Sequence, residues 1–200
     1  MMFSFFAACF PFPKRPNAAQ QGLPYTQTSS EPKSCIFCHV SAENGFKVMW
    51  EDESFIAFHD YRPAAQQHLQ IIPRSHIGEY AGTCPSGKES TEVSSASIKH
   101  LTKSNVALLK SMEAIGHDLL DELDVSPSMR RMGFHIPPFN SVDHLHLHVH
   151  GLPYKSFAKR AKYPAVRGHG SCQKGFSWFV EVGQAIRILE NGGRVGVLPC

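Results

Sequence analysis

Short apolar runs separated by polar breaks, from about residue 34 to residue 150, predict the elements of this chain in order. Lys47 to Trp50 and Ser54 to His59 are two such runs, split by Glu51-Asp52-Glu53, which reads as a hairpin with a polar turn. His68 to Ile72 is a third strand closed by Pro73, and Asp60 to Ala65 is the loop that leads into it. Leu101, Leu108, Met112, Ile115, Leu119 and Leu123 fall at three-, four- and seven-residue offsets, the packing stripe of one long helix, with Thr102 placed to cap it. Met129 to Ile136 reads as a strand and Pro137 to Asn140 as a turn. Phe176 to Leu189, with Trp178, Phe179, Val182, Ile186 and Leu189, is a strand or helix that docks back on the domain.

The most regular stretch is Asp143-His144-Leu145-His146-Leu147-His148-Val149-His150. In an extended strand every imidazole falls on one side and Leu145, Leu147 and Val149 on the other, whereas a helix would scatter both kinds around its circumference. The stretch is therefore a strand with one face of chemistry and one of core, antiparallel to the strand before the Pro137 turn. Alternate residues on a strand are about 6.5 Å apart, so the four rings span about 20 Å and one metal ion cannot engage them all. Different ends of the row must serve different purposes.

The flanks read differently. Residues 1–33 form a disordered extension: Met1 to Phe12 is apolar but too short to span a bilayer, and Lys14 to Lys33 is rich in Pro, Gln, Ser and Thr. The folded domain spans 34–190, its core motifs lie within 34–152, and Gly82 to Ser97 is a mobile, low-complexity insertion. Lys155 to Lys174 is basic without a period and reads as a solvated loop in preference to a phosphate-binding patch, while Asn191 to Cys200 reads as a flexible tail. A formal charge of +3, from 20 basic and 17 acidic residues, argues against nucleic acid or a membrane surface as partner. Of six cysteines, Cys35 and Cys38 form a Cys-x2-Cys pair and the rest are scattered, which favours a reduced compartment, cytoplasmic or nuclear, and a metal over a disulfide framework. One end of the histidine row can complete such a site; among His39, His59, His68 and His76, spacing alone does not choose the remaining ligand.

Taken together, His144-x-His146-x-His148, Cys35-Ile-Phe-Cys38, Phe58-His59-Asp60, His68-Leu-Gln-Ile-Ile-Pro73 and His76-Ile77 resemble the histidine triad family of nucleotide hydrolases and transferases. Arg131-Met-Gly-Phe-His-Ile-Pro-Pro-Phe139 followed by Ser141 is similar to the third branch of its nucleotide-binding proteins, the adenosine 5′-monophosphoramidase type. The resemblance covers Ser34 to Leu152, with a fainter echo near Trp178.

It implies an α+β fold with an antiparallel sheet of about five strands, one long helix and a short N-terminal helix or turn. It also implies hydrolysis of purine nucleoside 5′-phosphoramidates and acyl-adenylates through a covalent intermediate on His146. His148 and His68 would line the phosphate site, Asp60 would bind the ribose, Phe58 and Tyr61 the base, and Ser141 the leaving-group side. Cys35, Cys38, His76 and His144 would hold a structural zinc, with no organic cofactor. Two positions depart from the common pattern: His150 stands where the motif ends in an aliphatic residue, beyond the triad, and His135 where many relatives carry asparagine; both bear on substrate preference. A homodimer is consistent with the resemblance. The competing readings are a dinucleoside polyphosphate or cap-type hydrolase, and a nucleotide-binding or scaffold protein with incidental turnover.

Overall fold

The computed structural model describes residues 35–75 and 97–200. The N-terminal extension, His76 and the Gly82 to Ser97 insertion up to residue 96 lie outside the described residues. The chain opens with a 3-10 turn, Ile36–His39, followed by strands β1 (Val48–Glu51), β2 (Phe55–His59) and β3 (Ala65–Pro73). Helix α1 (Val106–Glu122) precedes β4 (Arg130–His135) and β5 (Leu147–Tyr154). A short helix α2 (Phe157–Arg160), strand β6 (Phe179–Glu181) and helix α3 (Val182–Glu190) complete it. Thr102 and Asn105 form the expected cap, reciprocally bonded at a 3-10 turn that runs into α1. No helix among the described residues is long and apolar enough to cross a membrane.

All paired strands are antiparallel, in the order β1-β2-β3-β5-β4-β6. The sixth strand goes beyond the expected five: Phe179–Glu181 is too short to show a period, and it exists because it pairs with Gly133 to His135 at the sheet edge. The region Phe176 to Leu189 is thus strand and helix in succession. The Asn191 to Cys200 segment is held and not frayed. Val195 is buried, the Ser177 N–H donates to the Val197 carbonyl, and the Cys200 carbonyl accepts from the N–H groups of Gln173 and Lys174. Its glycines lower local propensity, but these bonds to the preceding segment fix it.

The strand register sorts the side chains into two faces. Leu69 lies opposite Val149, and Val149 opposite Met132; with Ile71, Leu147, Phe134 and Val180 they form the core beneath α1 and α3. Each such side chain contributes roughly 1.5–3 kcal/mol on burial. Helix α1 comes close because Gly116 has no side chain: a Cβ there would meet the Met132 sulfur at 2.5 Å and Val149 at 3.2 Å. The buried stripe is broader than the one predicted, for Leu109 and Leu120 are enclosed while Leu108, Ile115 and Leu123 pack at its margin. On the opposite sheet face, His68 pairs with His150 and Gln70 with His148, so residues of two strands present imidazoles and an amide to one surface.

Candidate active site

The predicted alternation around the histidine row holds. Leu145, Leu147 and Val149 belong to the core, and the rings of His146 and His148 lie 5.0 Å apart on the other face, with His148 stacked on His150 at 6.0 Å. His144 and His146 precede β5, which begins at Leu147. The His146 Nδ1–H donates to the His144 carbonyl at 2.6 Å, so the lone pair of this ring sits on Nε2. Burial is the main reason its pKa lies below the ordinary histidine value, which keeps the ring neutral.

Three further imidazoles form a chain whose direction is set by the backbone at both ends. The Ala64 N–H donates to His68 Nδ1 at 3.1 Å, which leaves the His68 proton on Nε2, 3.0 Å from His148 Nδ1. His148 therefore carries its proton on Nε2, 3.0 Å from His135 Nδ1, and the His135 Nε2–H donates to the Lys162 carbonyl at 3.0 Å. Every nitrogen along the chain then has a partner of opposite kind, with each ring neutral. Desolvation by burial lowers the pKa of all three, that of His68 to about 4 despite the opposing Asp60 carboxylate 3.5 Å away. His148 and His135 face a cavity, whereas the His68 side chain is closed off behind them and acts on His148 instead of lining the site.

His150 is not beyond this cluster. It is 0 % exposed, its ring centroid lies 4.3 Å from that of His68 and 4.5 Å from Tyr163, and neither ring nitrogen finds a hydrogen-bond partner among the described residues. The strand alternation that aligns the triad carries it inward beneath the buried Tyr163. Burial holds it neutral, far below the usual histidine range.

At the other end of the row the cysteine pair meets His144. The ligand atoms of Cys35, Cys38 and His144 lie within 4.8 Å of one another, with Cys35 Sγ 3.6 Å from His144 Nδ1. A tetrahedral zinc, about 2.3 Å from sulfur and about 2.05 Å from nitrogen, separates two such ligands by about 3.6 Å. The His144 Nε2–H donates to the Pro73 carbonyl at 2.8 Å, which turns the Nδ1 lone pair toward the thiols, as an outer-shell carbonyl does for a metal-bound imidazole. The three residues fit the metal; His76, the fourth candidate, lies outside the described residues.

Two cavities lie near the nucleophile candidate and share part of their walls. The larger, about 740 Å³, is walled by Phe37, Phe46 and Phe58. The smaller, about 310 Å³, is walled by His135, His148, Lys159, Lys162 and Trp178. Asp60, Arg62, Gln70 and Ser141 border both; His146 lines neither, but its ring lies 5.5 Å from that of Phe37, in the wall of the larger, and 5.0 Å from that of His148, in the wall of the smaller. The Asp60 carboxylate accepts from the Arg62 backbone N–H and from Gln70 Nε2. Phe58 is buried edge-on against Phe37 and Phe46, while Tyr61 is 92 % exposed at the rim, with the Arg62 guanidinium over its ring. Lys159 and Lys162 were missed in the sequence: their charge was visible, but the fold that turns the loop inward was not. Trp178 is fixed there by donating its indole N–H to the Lys162 carbonyl at 3.2 Å.

The sequence profile described as "Scavenger mRNA decapping enzyme C-term binding" matches residues 34–82 and 90–163. The adenosine 5′-monophosphoramidase HINT3 of Xenopus tropicalis is 36% identical over 135 residues, which cover 66% of this chain and 76% of that one. The chain belongs to the histidine triad family of nucleotide hydrolases. A second histidine triad relative, the bifunctional adenosine 5′-phosphosulfate phosphorylase/adenylylsulfatase HINT4 of Arabidopsis thaliana, is 36% identical over 67% of this chain and 81% of its own. The HINT3 monophosphoramidase of Danio rerio is 28% identical over 84% of this chain and 89% of its own. The alternating row, continued by His150 and bonded to His135 through His148, lies within the residues that the profile matches.

The neutral cluster makes stability pH-dependent. Because folding lowers the pKa of His68 from 6.5 to about 4, the unfolded chain holds more protons in that window and stability rises with pH. Stability should be full above about pH 6.5 and fall as pH drops toward about 4, by on the order of 3 kcal/mol from His68 alone, with His148 and His150 acting in the same direction. Urea unfolding near pH 7.5 and near pH 5 measures this. An equal midpoint at both would contradict a neutral imidazole cluster.

Proposed function

We propose that the protein hydrolyses purine nucleoside 5′-phosphoramidates, an adenosine 5′-monophosphoramidase activity, and acyl-adenylates, through a nucleotidyl intermediate on His146. The observation that carries this reading is the 2.6 Å bond from His146 Nδ1–H to the His144 carbonyl, which leaves a neutral, nucleophilic Nε2 on a ring beside Phe37 of the larger cavity and His148 of the smaller. The nucleoside occupies the larger, aromatic-walled cavity, its ribose hydroxyls donating to Asp60 and its base against Phe58, with Tyr61 at the rim. The adenosine 5′-monophosphoramidase activity for which the HINT3 relatives are named supports the same choice.

In the first step His146 Nε2 attacks the α-phosphorus, a P–N bond to the histidine forms, and the bond to the leaving group breaks. An amine departs with the electron pair and a proton taken up from solvent; a carboxylate departs with the electron pair alone. The His148 N–H, given to His135 in the resting chain, is the donor available to a phosphoryl oxygen. His68 and His135 hold its tautomer, and Ser141 donates on the leaving-group side. Water oxygen then bonds the phosphorus as the P–Nε2 bond breaks, its proton passes to solvent, and the electron pair returns to Nε2. Cys35, Cys38 and His144, with His76 as the fourth ligand that the resemblance implies, would hold one structural zinc, which would supply rigidity close to His146. The smaller cavity has room beyond the triad, and with the decapping-enzyme profile it favours a cap-type or dinucleoside polyphosphate hydrolase as the second reading.

Rapid quenching with an acyl-adenylate, followed by intact-protein mass spectrometry, should find AMP on the wild type. His146→Asn should lose label and turnover yet keep nucleotide affinity within about threefold, since the amide preserves shape and one hydrogen bond. Bound nucleotide without label on the wild type would leave a binding module, and label persisting on His146→Asn would remove the nucleophile assignment.

Elemental analysis should find about one zinc per chain, lost in Cys35→Ser with a fall in melting temperature, because structural metal affinity is folding free energy. Metal-free protein with an unchanged melting temperature would refute the zinc site.

A further inference from the structure

The smaller cavity has a charge imbalance that the transfer to His146 leaves unexplained. Arg62, Lys159 and Lys162 line it together with the single carboxylate of Asp60, an excess of two positive charges. Asp60 is already engaged by the Arg62 backbone N–H and by Gln70, and no carboxylate among the described residues lies within ion-pair distance of any of the three cations.

The segment carrying the lysines is fastened over the cavity. The Lys155 N–H donates to the Ala64 carbonyl at 2.8 Å and Lys159 Nζ to the Arg62 carbonyl at 3.3 Å. The Lys162 carbonyl accepts from both His135 Nε2 and Trp178 Nε1, and the adjacent Tyr163 is buried against His148 and His150. Burial is the main reason that His68 and His135 resist protonation, and the nearby charge of Lys159 on the first and of Lys162 on the second adds in the same direction. Cations without a carboxylate partner, held in a cavity that His148 also lines, are suited to receive negative charge that develops there.

We infer that this cavity receives the group leaving the α-phosphorus, and that Lys159, Lys162 and Arg62 select leaving groups that depart as oxyanions, such as sulfate or phosphate, over amines. The inference rests on the proposed nucleotidyl transfer to His146. As the His146 Nε2–P bond forms, the P–O bond to the leaving oxyanion breaks. That oxygen keeps the electron pair, needs no proton from the protein, and places its new charge against the cations. An amine must instead take up a proton to depart, and the same cations disfavour a protonated amine.

Three substrates sharing one adenylyl group test this: adenosine 5′-phosphosulfate, ADP and adenosine 5′-phosphoramidate. Intrinsic leaving-group reactivity cancels when the ratio of kcat/KM for an oxyanion substrate to that for the phosphoramidate is compared between wild type and variant. Lys159→Ala and Lys162→Ala should each lower that ratio about tenfold or more, the weight of one charge-assisted hydrogen bond, and Lys162→Arg should retain most of it. A drop on the phosphosulfate arm assigns sulfate, on the ADP arm phosphate, and on both the shared oxyanion. Ratios that stay constant across the variants, with the wild type active on the phosphoramidate, would overturn this inference alone. A wild type inactive on all three would take down the proposed function and this inference with it.

Discussion

The site depends on a polarity that two backbone groups impose. The Ala64 N–H can only donate and the Lys162 carbonyl can only accept, and His68, His148 and His135 lie hydrogen-bonded in line between them. With donor and acceptor fixed at the ends, one arrangement of protons satisfies every nitrogen in between, and an added proton would set two N–H groups against each other. Burial works in the same direction, because each ring is cheaper to enclose neutral than charged. The His146 Nδ1–H fixed on the His144 carbonyl extends this logic to the nucleophile.

That order is possible because β5 separates its two kinds of side chain by the pleat. Leu147 and Val149 bury themselves under α1, and this fixes the register in which His148 meets Gln70 and His150 meets His68. His150 shows what the alternation costs: the same geometry draws in a fourth imidazole whose nitrogens have no hydrogen-bond partner among the described residues, and an unsatisfied buried polar group typically costs about 1–3 kcal/mol. The opposite end of the row faces the cysteine pair, so one extended segment joins a metal-fitting cluster to a nucleophile candidate only two residues away.

Much of this was legible in the sequence, and the reasons differ by residue. The row His144 to His150 announced itself because a period of two is a direct statement about faces, and the stripe from Leu101 to Leu123 likewise marked α1. Phe179–Glu181 was ambiguous because three residues cannot display a period; only pairing with β4 makes them a strand. Lys159 and Lys162 carried visible charge, but whether a basic loop faces water or a cavity is decided by anchors such as the Lys155 N–H on Ala64, which no local pattern encodes. The tautomers of His68 and His135 are likewise set by backbone groups distant in sequence.

Long-range proton–nitrogen NMR of the histidine side chains at about pH 7.5 tests the central claim most directly, since it distinguishes the two neutral tautomers from the imidazolium. His146 should be protonated on Nδ1, and His68, His148 and His135 should each be neutral and protonated on Nε2. An imidazolium at His148, or a His68 proton on Nδ1, would contradict it.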